Sequence, residues 1–221
     1  LEVGAGTGSL TSNILSVFPA DRTEYVFTDN GPLFLQSAED RSGEDYPFVE
    51  YKIFDCEKDP EAQGFDPHHF DIILASNVIH ATEDLKATFR NLQRALAPDG
   101  VLMFLEVTWR RAALDNVFGL LPGWWRFKDT DLRKDSALLS REEWVSFLSD
   151  LGYRGVDSFI SSENPEQNQQ ACLIGRAPDP VEPPSLEEEE EIEAEVVSKE
   201  TIAKSLILLT KDESGLAKSL S

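Results

Sequence analysis

The stretch Leu1-Glu2-Val3-Gly4-Ala5-Gly6-Thr7-Gly8 places three glycines at alternate positions directly after a short apolar strand. Glycine has no β-carbon, so the backbone at these positions can turn tightly and approach a bound molecule closely. The residues after Gly8 predict a helix that ends before Pro19, and the free N–H groups of its first turn would point toward the loop. Residues 1–18 therefore predict a strand, a glycine-rich loop and a helix, which is the opening unit of an α/β fold.

Apolar strands and helical patterns alternate along the chain, which predicts a mostly parallel sheet with helices on both faces. Residues 83–96 have apolar side chains at helical spacing, and a turn signal, Pro98-Asp99-Gly100, follows them. Ser140 and Glu143 fit a capping box at the start of another helix. The final two strands have a loop between them, so they predict an antiparallel hairpin at the end of the sheet. The predicted strands cover residues 25–29, 49–54, 71–76, 101–107, 156–160 and 171–175.

Charge is unevenly distributed along the sequence. The 221 residues carry a formal net charge of −21, which argues against a nucleic-acid backbone as substrate. Residues 179–200 hold ten acidic residues and one lysine, so they account for −9 of that charge. Residues 177–200 also contain four prolines. Residues 177–200 have few apolar side chains to bury, so they predict a solvated linker, and an acidic docking tail is the alternative.

The domain organisation follows from these changes in composition. Residues 1–176 predict one α/β domain, and residues 201–221 predict the start of a following region. Leu1 already lies at the end of an apolar strand, so we expect a fragment of a longer protein, with a truncated first strand, that is inactive alone. Two cysteines, no signal peptide and no apolar run of about 20 residues predict a cytoplasmic protein that does not enter a membrane.

The glycine loop favours S-adenosylmethionine over a dinucleotide as the bound molecule. A dinucleotide-binding loop of the form G-x-G-x-x-G would need glycine at position 9, which is a serine. The acid at the end of the strand also suits a ligand with a cationic amino-acid portion. A NAD-dependent reductase remains a distant alternative. The predicted cofactor contacts from this stretch are Glu2, Gly4, Ala5, Gly6 and Gly8.

Two aspartates at strand ends are further candidates for cofactor binding. Asp29 ends the second strand, where a carboxylate can accept hydrogen bonds from both hydroxyl groups of a ribose. Asp55 ends the third strand and is placed to accept a hydrogen bond from an adenine amino group. Both positions have a structural alternative, because Asp29 precedes a turn at Asn30-Gly31-Pro32 and aspartate is common at strand ends.

A polar segment follows the strand at residues 71–76. Asn77 and His80 come at the carboxyl edge of the predicted sheet, which is where ligands bind in open α/β sheets. A lone histidine is usually structural or solvated, but the position of His80 after a core strand favours a functional role. Asn77 is a candidate for cofactor binding. His68 and His69 lie in a loop without companion ligands, so we expect them at the surface, and the sequence predicts no metal site.

Three runs of sequence resemble the C-methyltransferase domain of type I polyketide synthases, most closely the highly reducing synthases of fungi. They are residues 76–82, residues 101–108 and Gly119-Leu120-Leu121-Pro122-Gly123-Trp124-Trp125. The resemblance covers residues 1–176 and implies a Rossmann-like class I methyltransferase fold with S-adenosylmethionine as cofactor. It also implies neighbouring domains as partners, since residues 205–221 are similar to the opening of the reductase-like region that follows in such synthases.

The same resemblance implies a mechanism. Domains of this family methylate the α-carbon of a β-ketoacyl chain held on an acyl carrier protein, with a His–Glu pair that matches His80 and Glu106. A neutral imidazole is a suitable base for a proton between two carbonyl groups, and a neighbouring carboxylate can fix its tautomer. As an alternative, Glu106 is a strand-end acid that pairs with Arg110 or Arg111.

Several alternatives stay open at this point. Trp124 and Trp125 are either lid residues over an acyl chain or core aromatics, and Asp129 and Arg133 have the spacing of a surface ion pair. An O- or N-methyltransferase for a free small molecule would share the glycine loop. A non-catalytic structural module of a synthase is the other function to be considered, although a scaffold has no need for the His–Glu pair.

Overall fold

The computed structural model of the protein describes residues 1–121, 123–160 and 169–178. The strands are numbered along the chain as β1 (Glu2–Val3), β2 (Tyr25–Asp29), β3 (Val49–Ile53), β4 (Phe70–Ser76), β5 (Leu96–Val107), β6 (Arg154–Phe159) and β7 (Gln170–Arg176). The helices are α1 (Ser9–Ile14), α2 (Pro32–Ser42), α3 (Leu85–Ala95), α4 (Ala112–Phe118) and α5 (Arg141–Asp150). Short turns of 3₁₀ helix cover Leu15–Val17, Glu61–Gln63 and Ile79–Ala81.

The strands form one sheet in the order β3-β2-β1-β4-β5-β7-β6. The first five strands pair in parallel, whereas β7 is antiparallel to β5 and β6 is antiparallel to β7. The order reverses at β1, because the chain runs outward to β3 and then returns to β4 on the other side of β1. The carboxyl ends of the parallel strands meet at one edge, and a reversal of this kind opens a crevice for a ligand there.

The predicted fold class is confirmed in its main features. The sheet is mostly parallel and ends in the predicted antiparallel hairpin. The capping box at the start of α5 is also present, since Ser140 Oγ accepts a hydrogen bond from Glu143 N at 3.2 Å and Glu143 Oε2 accepts one from Ser140 N at 2.7 Å. The capping box can be recognised from the sequence because serine and glutamate at this spacing accept hydrogen bonds from N–H groups that the start of a helix leaves free.

Two features differ from the prediction. The turn signal Pro98-Asp99-Gly100 lies inside β5, where the pairing with β4 is irregular and Asp99 has a φ of 60°. The helix before it ends at Ala95, and the strand begins at the next residue. Helices α2 and α4 were not predicted, although Pro32 at the first position of α2 is a known signal for a helix start.

The main core lies between the sheet and the helices α3 and α5. Phe89 of α3 contacts Phe104 of β5 and Trp144 and Phe147 of α5, with ring centroids 5.2 to 5.9 Å apart. All five residues of β2 are buried, as expected for a strand that is covered on both faces. This packing fixes the sheet and therefore the positions of the strand ends that carry the candidate site.

The predicted acidic linker at residues 177–200, apart from its first two residues, and the predicted following region at residues 201–221 lie outside the described residues. The same holds for Pro122 and for residues 161–168. Within the described ranges, every helix falls short of the length and apolar character that a membrane span requires.

Candidate active site

The glycine loop (residues 4–8) has left-handed backbone at each of its glycines, with φ of 60° at Gly4, 54° at Gly6 and 72° at Gly8. A β-carbon at Gly4 would overlap the side chain of Val78, which follows β4. A β-carbon at Gly6 would meet nothing nearer than the Gly4 carbonyl oxygen at 3.9 Å. Gly4 is thus needed for packing inside the protein, whereas Gly6 faces open space where a ligand can approach.

Backbone contacts hold the glycine loop in shape. Ala5 N donates to the Thr28 carbonyl oxygen of β2 at 2.8 Å, and Gly8 N donates to the Ala5 carbonyl oxygen at 2.8 Å. Arg41 of α2 donates to the Thr7 carbonyl oxygen at 2.8 Å. No sequence pattern indicates a role for this arginine, because it belongs to a helix that was not predicted.

Asp29 joins the glycine loop to the turn after β2. Its Oδ2 accepts a hydrogen bond from Gly6 N at 2.9 Å, and its Oδ1 accepts one from Gly31 N at 2.8 Å. The turn-capping role that was the structural alternative is therefore present. The contact between Asp29 and a ribose stays a prediction, and each carboxylate oxygen can accept a second hydrogen bond.

Glu2 is buried and already has partners in the protein. Its Oε2 accepts hydrogen bonds from the Thr11 hydroxyl of α1 and the Tyr25 hydroxyl of β2, each at 2.5 Å. Burial raises the pKa of Glu2, although the two hydroxyl groups partly offset this effect by stabilising the anion. These contacts tie β1 to α1 and β2, and a contact between Glu2 and a cofactor stays a prediction.

Asp55 and Asn77 also have protein partners. Asp55 Oδ1 accepts a hydrogen bond from Glu57 N at 3.1 Å, and Lys58 Nζ lies 3.0 Å from Asp55 Oδ2. Asn77 has a left-handed φ of 54°, which asparagine tolerates better than most residues, and its Oδ1 accepts a hydrogen bond from Val107 N at 3.1 Å. Their predicted contacts with a cofactor remain predictions.

His80 and Glu106 are in direct contact, although they are 26 residues apart in sequence. His80 Nδ1 lies 2.6 Å from Glu106 Oε2. The pairing of Ser76 with Leu105 in neighbouring strands brings the residues that follow them together at the sheet edge. The side chain of Glu106 is 0% exposed and that of His80 is 13% exposed, so the pair is shielded from water but reachable at the imidazole.

Glu106 determines the tautomer of His80. An ionised carboxylate can only accept hydrogen bonds, so the proton of a neutral imidazole sits on Nδ1 and Nε2 is left as the basic nitrogen. The other oxygen, Oε1, accepts the backbone N–H groups of Ile79 at 2.9 Å and His80 at 3.2 Å. Glu106 therefore orients both the imidazole ring and the 3₁₀ turn that carries it.

The pKa of His80 is raised above its usual value. Burial disfavours the imidazolium, but the charge of Glu106 and its hydrogen bond to the ring favour it more strongly. The positive charge of Arg133 acts against this increase. A raised pKa makes the neutral imidazole a stronger base, so this arrangement can take a proton from a weak acid bound next to Nε2.

Neither of the arginines considered as partners of Glu106 contacts it. Arg110 Nη2 donates to Glu143 Oε2 at 2.8 Å, and its Nε donates to the Leu138 carbonyl oxygen at 2.9 Å. Arg111 lies over the Trp109 ring, with the guanidinium carbon 3.4 Å from the ring centroid. The described contacts of the Glu106 carboxylate are thus with the imidazole of His80 and with the backbone N–H groups of Ile79 and His80.

Trp124 forms one wall beside His80. Its ring is edge-on to the imidazole with centroids 5.6 Å apart, and it stacks on Phe118 at 5.4 Å. Trp124 is buried, and its Nε1 donates to Asp115 Oδ1 at 2.9 Å, whereas Trp125 is about half exposed. The two tryptophans therefore differ in environment, and only Trp124 contacts the histidine ring.

Asp129 and Arg133 are both buried, so the prediction of a surface pair is wrong. Arg133 Nε donates to Asp129 Oδ1 at 2.7 Å, and its other donors reach carbonyl oxygens of the segment that contains His80. Spacing could not reveal this, because the same four-residue spacing is typical of exposed helix faces. His68 and His69 are exposed, as predicted. Among the residues that the structure describes, no group of three metal-ligating side chains is arranged to hold an ion.

The chain is similar to a methyltransferase domain family and to part of a hybrid PKS-NRPS synthetase. A family profile described as a methyltransferase domain matches residues 1–102. Among curated proteins, the chain is similar to the hybrid PKS-NRPS synthetase poxE of Penicillium oxalicum, with 38% identity over 180 residues. The match covers 81% of this chain and 4% of the synthetase, so the chain spans a small part of that relative.

Solved structures extend the likeness to the fold. The carbon methyltransferase CurJ is 43% identical with a TM-score of 0.76, and the match covers 80% of this chain and 48% of that chain. The trans-methyltransferase CalH, solved in complex with SAH, is 37% identical with a TM-score of 0.72, and the match covers 80% of this chain and 50% of that chain. The glycine loop and the His–Glu pair thus belong to a chain that is similar to these two methyltransferase structures.

Proposed function

We propose that this chain, which matches a methyltransferase domain profile over residues 1–102 and resembles part of a hybrid PKS-NRPS synthetase, methylates the α-carbon of a β-ketoacyl chain, with S-adenosylmethionine as methyl donor. The substrate is carried by an acyl carrier protein, and neighbouring domains of a synthase are its partners. The low cysteine count fits a cytoplasmic location. The single observation that carries the proposal is the 2.6 Å contact between His80 Nδ1 and Glu106 Oε2 at the carboxyl edge of the sheet.

The glycine loop fits the cofactor by two features. Gly6 leaves open the space that a side chain would fill, and Asp29 beside it keeps lone pairs free to accept ribose hydroxyl groups. When bound, S-adenosylmethionine supplies a methyl group on a positively charged sulfur, which a nucleophilic carbon of the substrate accepts. The protein contributes the orientation of the two molecules, which is worth much of the rate in reactions of this kind.

His80 acts as the general base in this proposal. Its Nε2 takes the proton from the carbon that lies between the two carbonyl groups of the substrate, and the electron pair of the broken C–H bond becomes an enolate. Glu106 holds Nδ1–H during the transfer and stabilises the imidazolium that forms. Trp124 and the buried surroundings of Glu106 keep water away from the pair, which strengthens their interaction.

The substitution His80→Ala in the full-length natural protein tests the proposal. We expect methyl transfer to a β-ketoacyl thioester to fall by about 100- to 10,000-fold, the usual contribution of a positioned base. Calorimetric titration with S-adenosylhomocysteine (SAH) should give an unchanged affinity, because His80 lies outside the glycine loop. Mass spectrometry should locate the new methyl group of the natural protein's product on carbon.

His69→Ala is the matched control, since His69 is an exposed histidine outside the site, and it should keep full activity. Full activity of the His80→Ala protein would remove His80 as the base. A methyl group on oxygen or nitrogen would contradict carbon methylation and favour a methyltransferase for a heteroatom. Failure of the natural protein to bind SAH at all would favour a non-catalytic module.

A further inference from the structure

The His80 turn (Ile79–Ala81) is held by two buried side chains of opposite charge. On one side, Glu106 Oε1 accepts the backbone N–H groups of Ile79 and His80. On the other side, Arg133 donates from Nη1 to the carbonyl oxygen of His80 at 2.8 Å and from Nη2 to that of Thr82 at 2.8 Å. The carboxylate accepts hydrogen bonds from N–H groups of this segment, and the guanidinium donates hydrogen bonds to its carbonyl oxygens.

Arg133 is itself fixed in place. Its side chain is 0% exposed, and its Nε donates to Asp129 Oδ1 at 2.7 Å. Asp129 Oδ2 accepts a hydrogen bond at 3.0 Å from the backbone N–H of Leu85, the first residue of α3. Asp129 therefore links Arg133 to a helix that packs in the main core, and this link leaves the guanidinium little freedom to move.

We propose that Arg133 is a positioning residue for His80 and that Asp129 holds Arg133 in the required orientation. The inference rests on the proposed function, in which His80 Nε2 takes a proton from the substrate. Arg133 acts through the backbone of the His80 turn, which keeps Nε2 at the correct distance from the α-carbon. A misplacement of about 1 Å in a reacting group can cost about 100-fold in rate.

Arginine suits this role better than lysine. Its planar guanidinium supplies several donors in a fixed arrangement, and Arg133 uses them on Asp129 and on the carbonyl oxygens of His80, Thr82 and Glu83. A lysine carries one ammonium group on a flexible stem and cannot satisfy these acceptors together. The substitution Arg133→Lys therefore keeps the charge and loses the geometry.

The charge of Arg133 has a separate effect on His80. The charged groups that face the imidazole are Glu106 from β5 and Arg133 from the segment before α5, and Trp124 adds an uncharged ring. Glu83, three residues further along the chain, is paired with Lys128 and Arg126. Since the cation at position 133 opposes the increase in the pKa of His80, its removal should raise that pKa further.

Three variants of the full-length natural protein separate geometry from charge. For Arg133→Lys we expect kcat to fall by about 10- to 100-fold, with the acid limb of the pH–rate profile unmoved. For Arg133→Gln we expect a similar fall together with a shift of that limb to higher pH. The double variant Asp129→Leu/Arg133→Met replaces the pair by apolar side chains and avoids an uncompensated buried charge, and it too should show the fall in kcat.

The readouts are kcat, the KM for the β-ketoacyl thioester, the position of the acid limb and the affinity for SAH. If Arg133 positions His80, the three variants should lose kcat and should show little change in KM or in SAH affinity. Asp131→Asn is the matched control, because Asp131 pairs with Lys86 of α3 from the same segment but is exposed, and it should leave all four values unchanged.

Two results would overturn the inference. One is a double variant that methylates at the rate of the natural protein. Its affinity for SAH must equal that of the natural protein, which shows that it is folded. The other is a loss of kcat in Arg133→Lys and Arg133→Gln that is matched by an equal loss of SAH affinity, since this indicates a general structural role. If the natural protein itself transfers no methyl group to carbon, the proposed function fails. If the natural protein is active and these variants equal it, only the positioning inference fails.

Discussion

The glycine loop and the His80 turn follow neighbouring strands, β1 and β4, yet they are held in place by different means. The loop takes its shape mainly from left-handed glycines and backbone hydrogen bonds, and the exposed Arg41 and the strand-end Asp29 add side-chain contacts to its backbone. The turn takes its position from the buried side chains of Glu106 and Arg133, which are 26 and 53 residues away from His80 in sequence.

This difference separates two tasks. A loop shaped largely by its backbone leaves open space beside Gly6 for a bound molecule. A base must keep one nitrogen at a defined place with a defined protonation state, so it requires charged partners that are themselves fixed. The comparison predicts that changes in the loop affect cofactor binding first, whereas changes around the turn affect the rate of transfer first.

Glu106→Gln should cause the greatest loss of activity. The amide keeps the shape of the side chain, but it removes the charge that raises the pKa of His80 and stabilises the imidazolium. We expect kcat for methyl transfer to fall by about 100- to 10,000-fold, as for other bases that lose their carboxylate partner. Steady-state kinetics of the full-length protein measure this loss, and SAH affinity should stay at its natural value. If the Glu106→Gln protein lost SAH affinity but kept its kcat, the His80 turn would serve cofactor binding and not the rate of transfer, which contradicts the prediction.

Substitution of Gly4 and Gly6 provides an intermediate effect within the loop. Gly4→Ala combines left-handed strain with overlap of Val78 and should destabilise this part of the domain by about 2–4 kcal/mol. Gly6→Ala meets no protein atom nearer than 3.9 Å, so it should cost only about 1–2 kcal/mol in strain. Its methyl group lies where a ligand approaches and should weaken SAH binding by about tenfold, the equivalent of an overpacked contact.

Hydrogen exchange of peptides from β1 and β4 reports the local stability of the two glycine variants, and titration calorimetry reports their affinity for SAH. The pair is matched, because each variant adds one methyl group to a glycine with positive φ. Equal stability of the two variants would contradict the packing role of Gly4. An unchanged SAH affinity in Gly6→Ala would place the cofactor elsewhere.

A more modest change should be seen when the pH is varied. The base must be neutral to take a proton, so kcat/KM should rise by about tenfold per pH unit up to the pKa of His80 and then level off. Because that pKa is raised, the midpoint should lie above 6.5, the usual value for histidine. The same limb should move to lower pH in Glu106→Gln, since the carboxylate is what raises the pKa. A midpoint below 6.5 in the natural protein would contradict the electrostatic account of the pair.

Much of the fold could be read from local patterns. Buried parallel strands give continuous apolar runs and the α5 start has a capping box, so both were recognised. Helix α2 was missed because only Pro32 marks it and its apolar face is weak. The irregular start of β5 was missed because Pro98-Asp99-Gly100 has the composition of a loop, whereas pairing with β4 places it within the strand.

The residues of the site also differ in how far they can be predicted from the sequence. The glycine loop could be found from sequence because its signal is contained in eight consecutive residues. His80 and Glu106 could be paired only through the family resemblance, since nothing local relates residues on different strands. The role of Arg133 could not be found at all, because an arginine and an aspartate four residues apart give the same pattern whether they are exposed or buried. Burial and long-range carbonyl contacts are properties of the folded chain.

The proton that His80 is proposed to remove can be followed by isotope exchange. A β-ketoacyl thioester is incubated in deuterium oxide with the full-length protein and SAH, without a methyl donor, and deuterium at the α-carbon is measured by mass spectrometry against a buffer blank. We predict exchange well above the blank for the natural protein and for Asp131→Asn, and exchange at the blank rate for His80→Ala. Exchange by His80→Ala at the natural rate would show that another group removes the proton and would contradict the account.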